Sequence, residues 1–379
     1  MFKHVTFSTG LALLAAGLLA AGCGEPVAPG RHIAIATPPG LDVVGDPNNG
    51  TFGANGTVIL KGFNPTNPHL GDAIVATFFW HGSTNIITAV SDHLTDGTPV
   101  GNPYTFVEYV TAGGISMATY VATNVRNFPD PNPDQDRVLV VQANLSASIT
   151  GGGIMLSAYR GVYPTFAQAM GAHQSGSGSG ASQSTATAGA IPVAAGALVY
   201  GVTLADAVVG VEPPAGFSNI TNMSDAVMKT DGEYALPAAA GTSTPQWTWF
   251  FNSPSTWLTT VVALNEAPTR LAFAVQPASS LPCPSAIPTV EVRALDDKGN
   301  TVTAFNGSVT VAIGHNGGAL IPGTLSGTNT VAAVNGLARF SGLCIDQPNL
   351  PGNGYTLRAA APDMNLSVES AAFSIGIGN

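Results

Sequence analysis

Ala73-Ile-Val-Ala-Thr-Phe-Phe-Trp80 is a short run in which every residue but Thr77 is apolar, preceded by Gly71-Asp72 and followed by His81-Gly82. Its length, its β-branched and aromatic content and its turn-forming flanks are those of a strand. Five more segments have the same form: Ala118–Thr123, Val138–Val141, Ile154–Tyr159, Ala197–Val202 and Leu258–Ala263. The 45 glycines and 28 prolines of the 379-residue chain supply turns between them, and no long amphipathic helix competes. Many short strands separated by turn signals predict an all-β protein of packed antiparallel sheets, a sandwich or jelly roll.

The N-terminus has a different character. Met1 to Gly10 carries Lys3 and His4 and no acid, and Leu11 to Ala21 is small and apolar. A membrane helix needs about 20 apolar residues, so this segment reads as a secretory signal over residues 1–22. It ends in Ala20-Ala21-Gly22-Cys23, which resembles the lipobox of bacterial lipoproteins. The resemblance implies cleavage before Cys23, acylation of its sulfur and a stable membrane anchor, because acyl chains contribute about 0.8 kcal/mol per buried methylene. Position three before the cysteine is Ala20 where the family usually has Leu. Gly24 follows the cysteine in place of the Asp that marks inner-membrane retention, so the expected address is the outer membrane. The competing reading is an ordinary signal peptide with a free or paired thiol at Cys23. Cys283 and Cys344 bear on it: in an oxidising compartment they can pair with each other and leave Cys23 as the odd thiol. Their own alternative is two buried free thiols.

Residues 23–40 are rich in Pro and Gly and read as a tether. A boundary falls at Ala267-Pro268, where the strand ending Val261-Val-Ala-Leu264 gives way to Leu271-Ala-Phe-Ala-Val-Gln-Pro277. The expected organisation is therefore a β-sandwich over 41–267 and a second domain over 268–379. Ser175-Gly-Ser-Gly-Ser-Gly-Ala-Ser-Gln-Ser184 has a linker's composition, but cutting there leaves too little chain before Ala267 for a separate core. It is expected to be a mobile loop within one sandwich.

The segments "GDAIVATFFW", "YVATNV", "VLVVQANLS", "MLSAYRGV" and "GALVYGV" resemble a jelly-roll-like β-sandwich module of bacterial secreted proteins, generally without an assigned function. Leu271–Pro277, Val290–Asn300, Val309–Ile313, Gly323–Gly327 and Asn335–Phe340 resemble bacterial immunoglobulin-like repeats of the invasin and intimin kind. That likeness implies a surface stalk or adhesive module, here in one copy. Independently of it, Asp297-Lys-Gly-Asn300 and Asn335-Gly336 are turn signals between strands. Asp296 and Asp297 accordingly read as a solvated hairpin corner, with a catalytic or calcium role as the rival reading.

Composition excludes one partner class. With 12 Lys and Arg against 22 Asp and Glu and no basic cluster, nucleic acid is not an expected ligand. No G-x-x-x-x-G-K-[ST], H-E-x-x-H or C-x-x-C motif occurs, and the histidines are scattered at 4, 32, 69, 81, 93, 173 and 315. Asp130-Pro-Asn-Pro-Asp-Gln-Asp136 sets oxygen ligands Asp130, Asn132, Asp134 and Asp136 at alternate positions, as calcium loops do. It lacks the central Gly and terminal Glu of an EF-hand, and the competing reading is a Pro-rich turn. Trp247, Trp249 and Phe251 fall on one side of a strand with Trp257 nearby, a pattern that fits either a carbohydrate-stacking platform or a core.

The expected function is a membrane-anchored, surface-exposed bacterial lipoprotein acting as a non-enzymatic adhesion or structural module toward glycans or cell-surface proteins. No cofactor is expected apart from the calcium candidate. A carbohydrate-binding lipoprotein is the alternative, and a glycan or peptide hydrolase would require two carboxylates or a triad converging in one pocket.

Overall fold

The computed structural model describes residues 39–42, 50–63, 66–129, 137–318, 321–346 and 352–376. Among them the protein is all-β, built from antiparallel sheets. The first set of strands is β1 (Gly40–Leu41), β2 (Gly50–Phe52), β3 (Gly56–Gly62), β4 (Ala73–His81), β5 (Ile87–Leu94), β6 (Thr105–Ala112), β7 (Ile115–Ala122), β8 (Leu139–Ile149) and β9 (Gly152–Arg160). They form one sheet in the order β1-β9-β4-β7-β6, with β2 also on β9, and a second in the order β3-β8-β5.

The second set is β10 (Met170–Gly180), β11 (Gln183–Ala186), β12 (Ile191–Val193), β13 (Leu198–Ala205), β14 (Val211–Glu212), β15 (Ser218–Ser224), β16 (Lys229–Ala235), β17 (Gly241–Ser243), β18 (Trp247–Phe250) and β19 (Ser255–Leu264). Its sheets run β10-β19-β13-β16-β15 and β11-β18-β14, with β12 and β17 as a separate pair. The five-strand and three-strand orders of the two sets correspond, with β2 and the β12-β17 pair as additions. In the first, β1 pairs β9, β3 pairs β8 and β4 pairs β7; in the second, β10 pairs β19, β11 pairs β18 and β13 pairs β16. Such nested pairing of early with late strands is the winding of a jelly roll, so residues 40–264 hold the expected sandwich twice.

The two sandwiches meet through their larger sheets, and this explains the unbroken apolar runs. A sheet covered on one face alternates apolar and polar residues; one covered on both faces does not. Alternate residues of β4 serve two cores: Ile74, Ala76, Phe78 and Trp80 face Ile59, Leu139 and Val141, while Val75 and Phe79 join Tyr159, Tyr200, Val202 and Leu258. The buried polar residue of that strand, Thr77, meets the Tyr200 hydroxyl at 2.8 Å and Thr119 Oγ1 at 3.0 Å, a hydrogen-bonded point between the sandwiches.

The Ser/Gly stretch is a strand, not the expected loop. Serines 175, 177 and 179 alternate with glycines 176, 178 and 180 along β10, which pairs with β19 over its length. The glycine face is closely covered: a Cβ at Gly178 would lie 2.3 Å from the Trp257 ring, and one at Gly176 would lie 2.5 Å from the Thr187 carbonyl oxygen. On the opposite face, Ser175 Oγ donates to Glu108 Oε2 of β6 at 2.8 Å. Period-two alternation of two small residues here marks a strand with one crowded face, while Ser177 and Ser179 on the other are exposed.

C-terminal to Pro268 lie β20 (Arg270–Val275), β21 (Val290–Leu295), β22 (Ser308–Ile313), β23 (Thr324–Ser326), β24 (Thr330–Ala332), β25 (Leu337–Phe340), β26 (Cys344–Asp346), β27 (Gly352–Tyr355), β28 (Leu357–Ala361), β29 (Leu366–Glu369) and β30 (Phe373–Ile375). Their sheets are β20-β21-β25 and β24-β22-β28-β29, with the pairs β23-β26 and β27-β30. Among the described strands no sheet spans both sides of Pro268, although Tyr163 stacks on Phe305 with centroids 6.4 Å apart. Asn335 and Gly336 adopt φ of 50° and 79°, the two left-handed positions that the Asn-Gly signal predicts for a hairpin turn.

Candidate functional site

The sequence-derived candidates do not converge. Cys23 and the Asp130, Asn132, Asp134, Asp136 set lie outside the described residues. The flanks of that acidic stretch are nevertheless defined: the Asn67 amide donates to the Pro129 carbonyl oxygen at 3.0 Å and to that of Arg137 at 3.1 Å. Cys283 and Cys344 form a disulfide, with S–S 2.04 Å, so the free-thiol alternative does not hold.

The tryptophans belong to the core reading. Trp247 and Trp249 are 0% exposed and Trp257 is 9% exposed, packed with Ala186, Ala205 and Phe251 between the sheets of the second sandwich. A stacking platform needs a ring face open to a pyranose, and these rings offer none. The odd-numbered residues of β18 point inward, where Trp249 Nε1 donates to Thr203 Oγ1 at 3.1 Å.

Clusters of titratable groups also lie outside the sequence predictions. The first joins the sandwiches: His173 Nδ1 lies 2.6 Å from Glu108 Oε1, and Ser175 Oγ donates to Glu108 Oε2. Serine, histidine and a carboxylate are thus assembled, but in an order without nucleophilic use. A serine triad needs the imidazole between hydroxyl and carboxylate to take the hydroxyl proton; here the carboxylate is in the middle. Elsewhere, His69 Nδ1 and the His69 backbone N–H both contact Asp42 Oδ2, at 2.9 and 3.0 Å.

The second cluster is Asp231 and Glu233, at alternate positions of β16 and both buried. Their common face lies toward the layer of Trp247, whose ring also passes close over Gly201, the register partner of Glu233. Asn222 Nδ2 donates to Asp231 Oδ1 at 2.8 Å and Asn219 Nδ2 to Glu233 Oε1 at 3.0 Å, both from β15. Burial pushes Glu233 up to about 7, with the Asn219 bond opposing it and the Asp231 charge adding to it. Burial likewise raises Asp231, against the Asn222 bond, the Lys229 charge and the Trp247 ring N–H. Paired carboxylates raised in this way characterise acid–base sites, yet these are sealed between sheets with their amide partners in place. Their consequence is for stability.

Between about pH 4.5 and pH 7 the folded protein keeps a proton on Glu233 that the unfolded chain releases. The stabilisation is complete below that range and is lost as pH rises through it. Urea midpoints should accordingly fall from pH 5 to pH 8, by the equivalent of roughly 2 kcal/mol for this group. Glu233→Gln is expected to remove that share of the slope; an unchanged slope in the variant would refute the assignment.

An accessible concavity lies elsewhere, on the outer face of the β11-β18-β14 sheet. Thr185, Thr248 and Glu212 form one row across the three strands and floor a groove of about 490 Å³ walled by Pro213-Pro214 and Thr242–Gln246. Hydroxyls and one carboxylate can hydrogen-bond a polar ligand; neither a nucleophile–base pair nor a second carboxylate lines the groove. Comparison with protein-family models, with curated proteins and with solved structures finds no match to this chain.

Proposed function

We propose that the chain is a lipid-anchored bacterial lipoprotein of the outer membrane that displays its β-sandwiches at the cell surface as a non-enzymatic adhesion or structural module. The observation that carries this reading is the Cys283–Cys344 disulfide. A structural disulfide belongs to an oxidising compartment, which agrees with a secretory signal. It also uses two of the chain's three cysteines, leaving Cys23 behind its apolar run as the one that calls for another role. Among the described residues no helix is long and apolar enough to cross a membrane, so acylation of Cys23 supplies an attachment that the described helices do not. The immunoglobulin-like reading of 268–379 supplies the adhesive role. The clusters described above act within the fold, which supports a binding or scaffolding part over catalysis.

The test is made in a Gram-negative host expressing the chain with a C-terminal epitope tag. Intact cells making the wild-type chain are expected to stain for the tag, and the protein to incorporate an alkyne-labelled fatty acid. Cys23→Ala should abolish both. Incorporation that survives the substitution would refute acylation at Cys23, and staining that requires permeabilisation would refute surface display.

A further inference from the structure

Glu266 stands between β19 and Pro268, on the connection that leads from the double sandwich to the C-terminal strands. It is 5% exposed. Burial and the charges of Asp296 and Asp297 act on its carboxyl group, and no hydrogen-bond donor among the described residues satisfies it. The chain makes room for the group: a Cβ at Gly196, whose φ is +73°, would fall 1.9 Å from Glu266 Oε2. A buried carboxylate without a donor is a costly feature unless something else compensates it.

What it faces is more negative charge. Asp296 and Asp297 each bring a carboxylate oxygen to the same place, with the ligand atoms of all three residues within 4.8 Å of one another. Asp296 is buried and held in position, accepting from the Asn300 backbone N–H at 2.7 Å and from its side-chain amide at 2.9 Å. Asp297 is exposed and opens the cluster to solvent. Lys298 is the cation whose charge opposes the effect on Glu266, and the Arg270 guanidinium lies beside Gly299 in the same turn. Burial first, then the two aspartates, push Glu266 up to about 7. Two acids in a hairpin corner are ordinary; a third, buried and donor-free, brought to them from a distant segment is not.

We propose that Glu266, Asp296 and Asp297 bind a calcium ion, which ties the connection ahead of Pro268 to the turn between β21 and β22. The donors are all hard oxygens, with neither His nor Cys among them, a set that suits a hard divalent cation over zinc. Three carboxylates drawn from two segments suit the flexible shell of six to eight oxygens that calcium accepts, whereas magnesium demands near-ideal octahedral geometry and usually keeps several of its waters around one or two carboxylates. Three carboxylates with water completing the shell place the affinity at about 10⁻⁴ to 10⁻³ M, the range of extracellular calcium modules.

The experiment is calorimetric titration of calcium into the full chain, stripped with chelator and held in detergent, beside thermal unfolding with and without the ion. One saturable site in that range and an upward shift in Tm are expected. Asp297→Asn changes an exposed residue and should fold normally while binding about tenfold more weakly or worse. Glu266→Gln is expected to raise Tm in the absence of calcium, because it removes a buried charge, and to abolish the response to the ion. That reversal separates a cation site from a merely structural glutamate. The proposal is overturned if no saturable binding occurs up to about 10 mM, or if both variants bind as the wild type does. It is equally overturned if binding disappears only in an Asp134→Asn, Asp136→Asn chain, which would place calcium in the Pro-rich stretch.

Discussion

Trp249→Ala is expected to lower the unfolding free energy by about 4 kcal/mol, the cost of removing a large, fully buried aromatic whose cavity collapses only in part. The ring is 0% exposed, stacks on Phe251 with centroids 5.9 Å apart, and donates through Nε1 to Thr203 Oγ1. Thr203 in turn donates to the Leu258 carbonyl oxygen at 2.9 Å, so the ring is linked through one hydroxyl to the adjacent strand. Trp249→Phe keeps most of the apolar volume and loses the N–H, and should cost about 1–2 kcal/mol. Urea denaturation of both variants measures the difference. A platform tryptophan would behave otherwise: its alanine variant would keep its urea midpoint and lose only ligand binding. A loss under about 1 kcal/mol in the alanine variant would contradict the core placement.

Asn67→Ala should cost about 3 kcal/mol, although it removes only three heavy atoms. Asn67 is fully buried and acts as a clamp. Its Oδ1 accepts from the Leu139 backbone N–H at 2.6 Å while its Nδ2 donates to the carbonyls of Pro129 and Arg137. Alanine would leave the Leu139 N–H, at the first residue of β8, buried without a partner, together with two carbonyls at the ends of the 130–136 stretch. The isosteric Asn67→Asp separates hydrogen bonding from packing. It keeps the acceptor and the shape but loses both donors and buries a charge, so it should be at least as destabilising as alanine. If aspartate is tolerated and alanine is not, volume rather than hydrogen bonding would be the cause. Nothing in the sequence singles out Asn67, because its partners lie 62 to 72 positions away.

Several local features were legible because their causes are local. The strand at Ala73–Trp80 follows from its apolar run and turn-forming flanks, and Asn335-Gly336 adopts the left-handed pair of a hairpin because few other dipeptides do so at low cost. The cysteine pairing could be counted as one possibility, and the fold made it the actual one. The Ser/Gly stretch misled for a physical reason. Composition registers glycine as freedom, whereas glycines 176 and 178 are there because Thr187 and Trp257 leave no space for a Cβ. The alternation of serine with glycine was the available signal, and its period of two belonged to a strand.

By itself the sequence determined the all-β class, the positions of the main strands and turns, and the excess of acidic over basic residues, since each depends on neighbours along the chain or on totals. Only the tertiary structure decided that the sandwich occurs twice, that Trp247 and Trp249 face inward, and that Glu108, Asp231 and Glu233 are absorbed into the fold. It also brought Glu266 to Asp296 and Asp297. These outcomes depend on which faces of which sheets are covered. In a strand, a one-residue change of phase exchanges inside for outside, and the covering layer that sets the phase comes from residues far away in the chain.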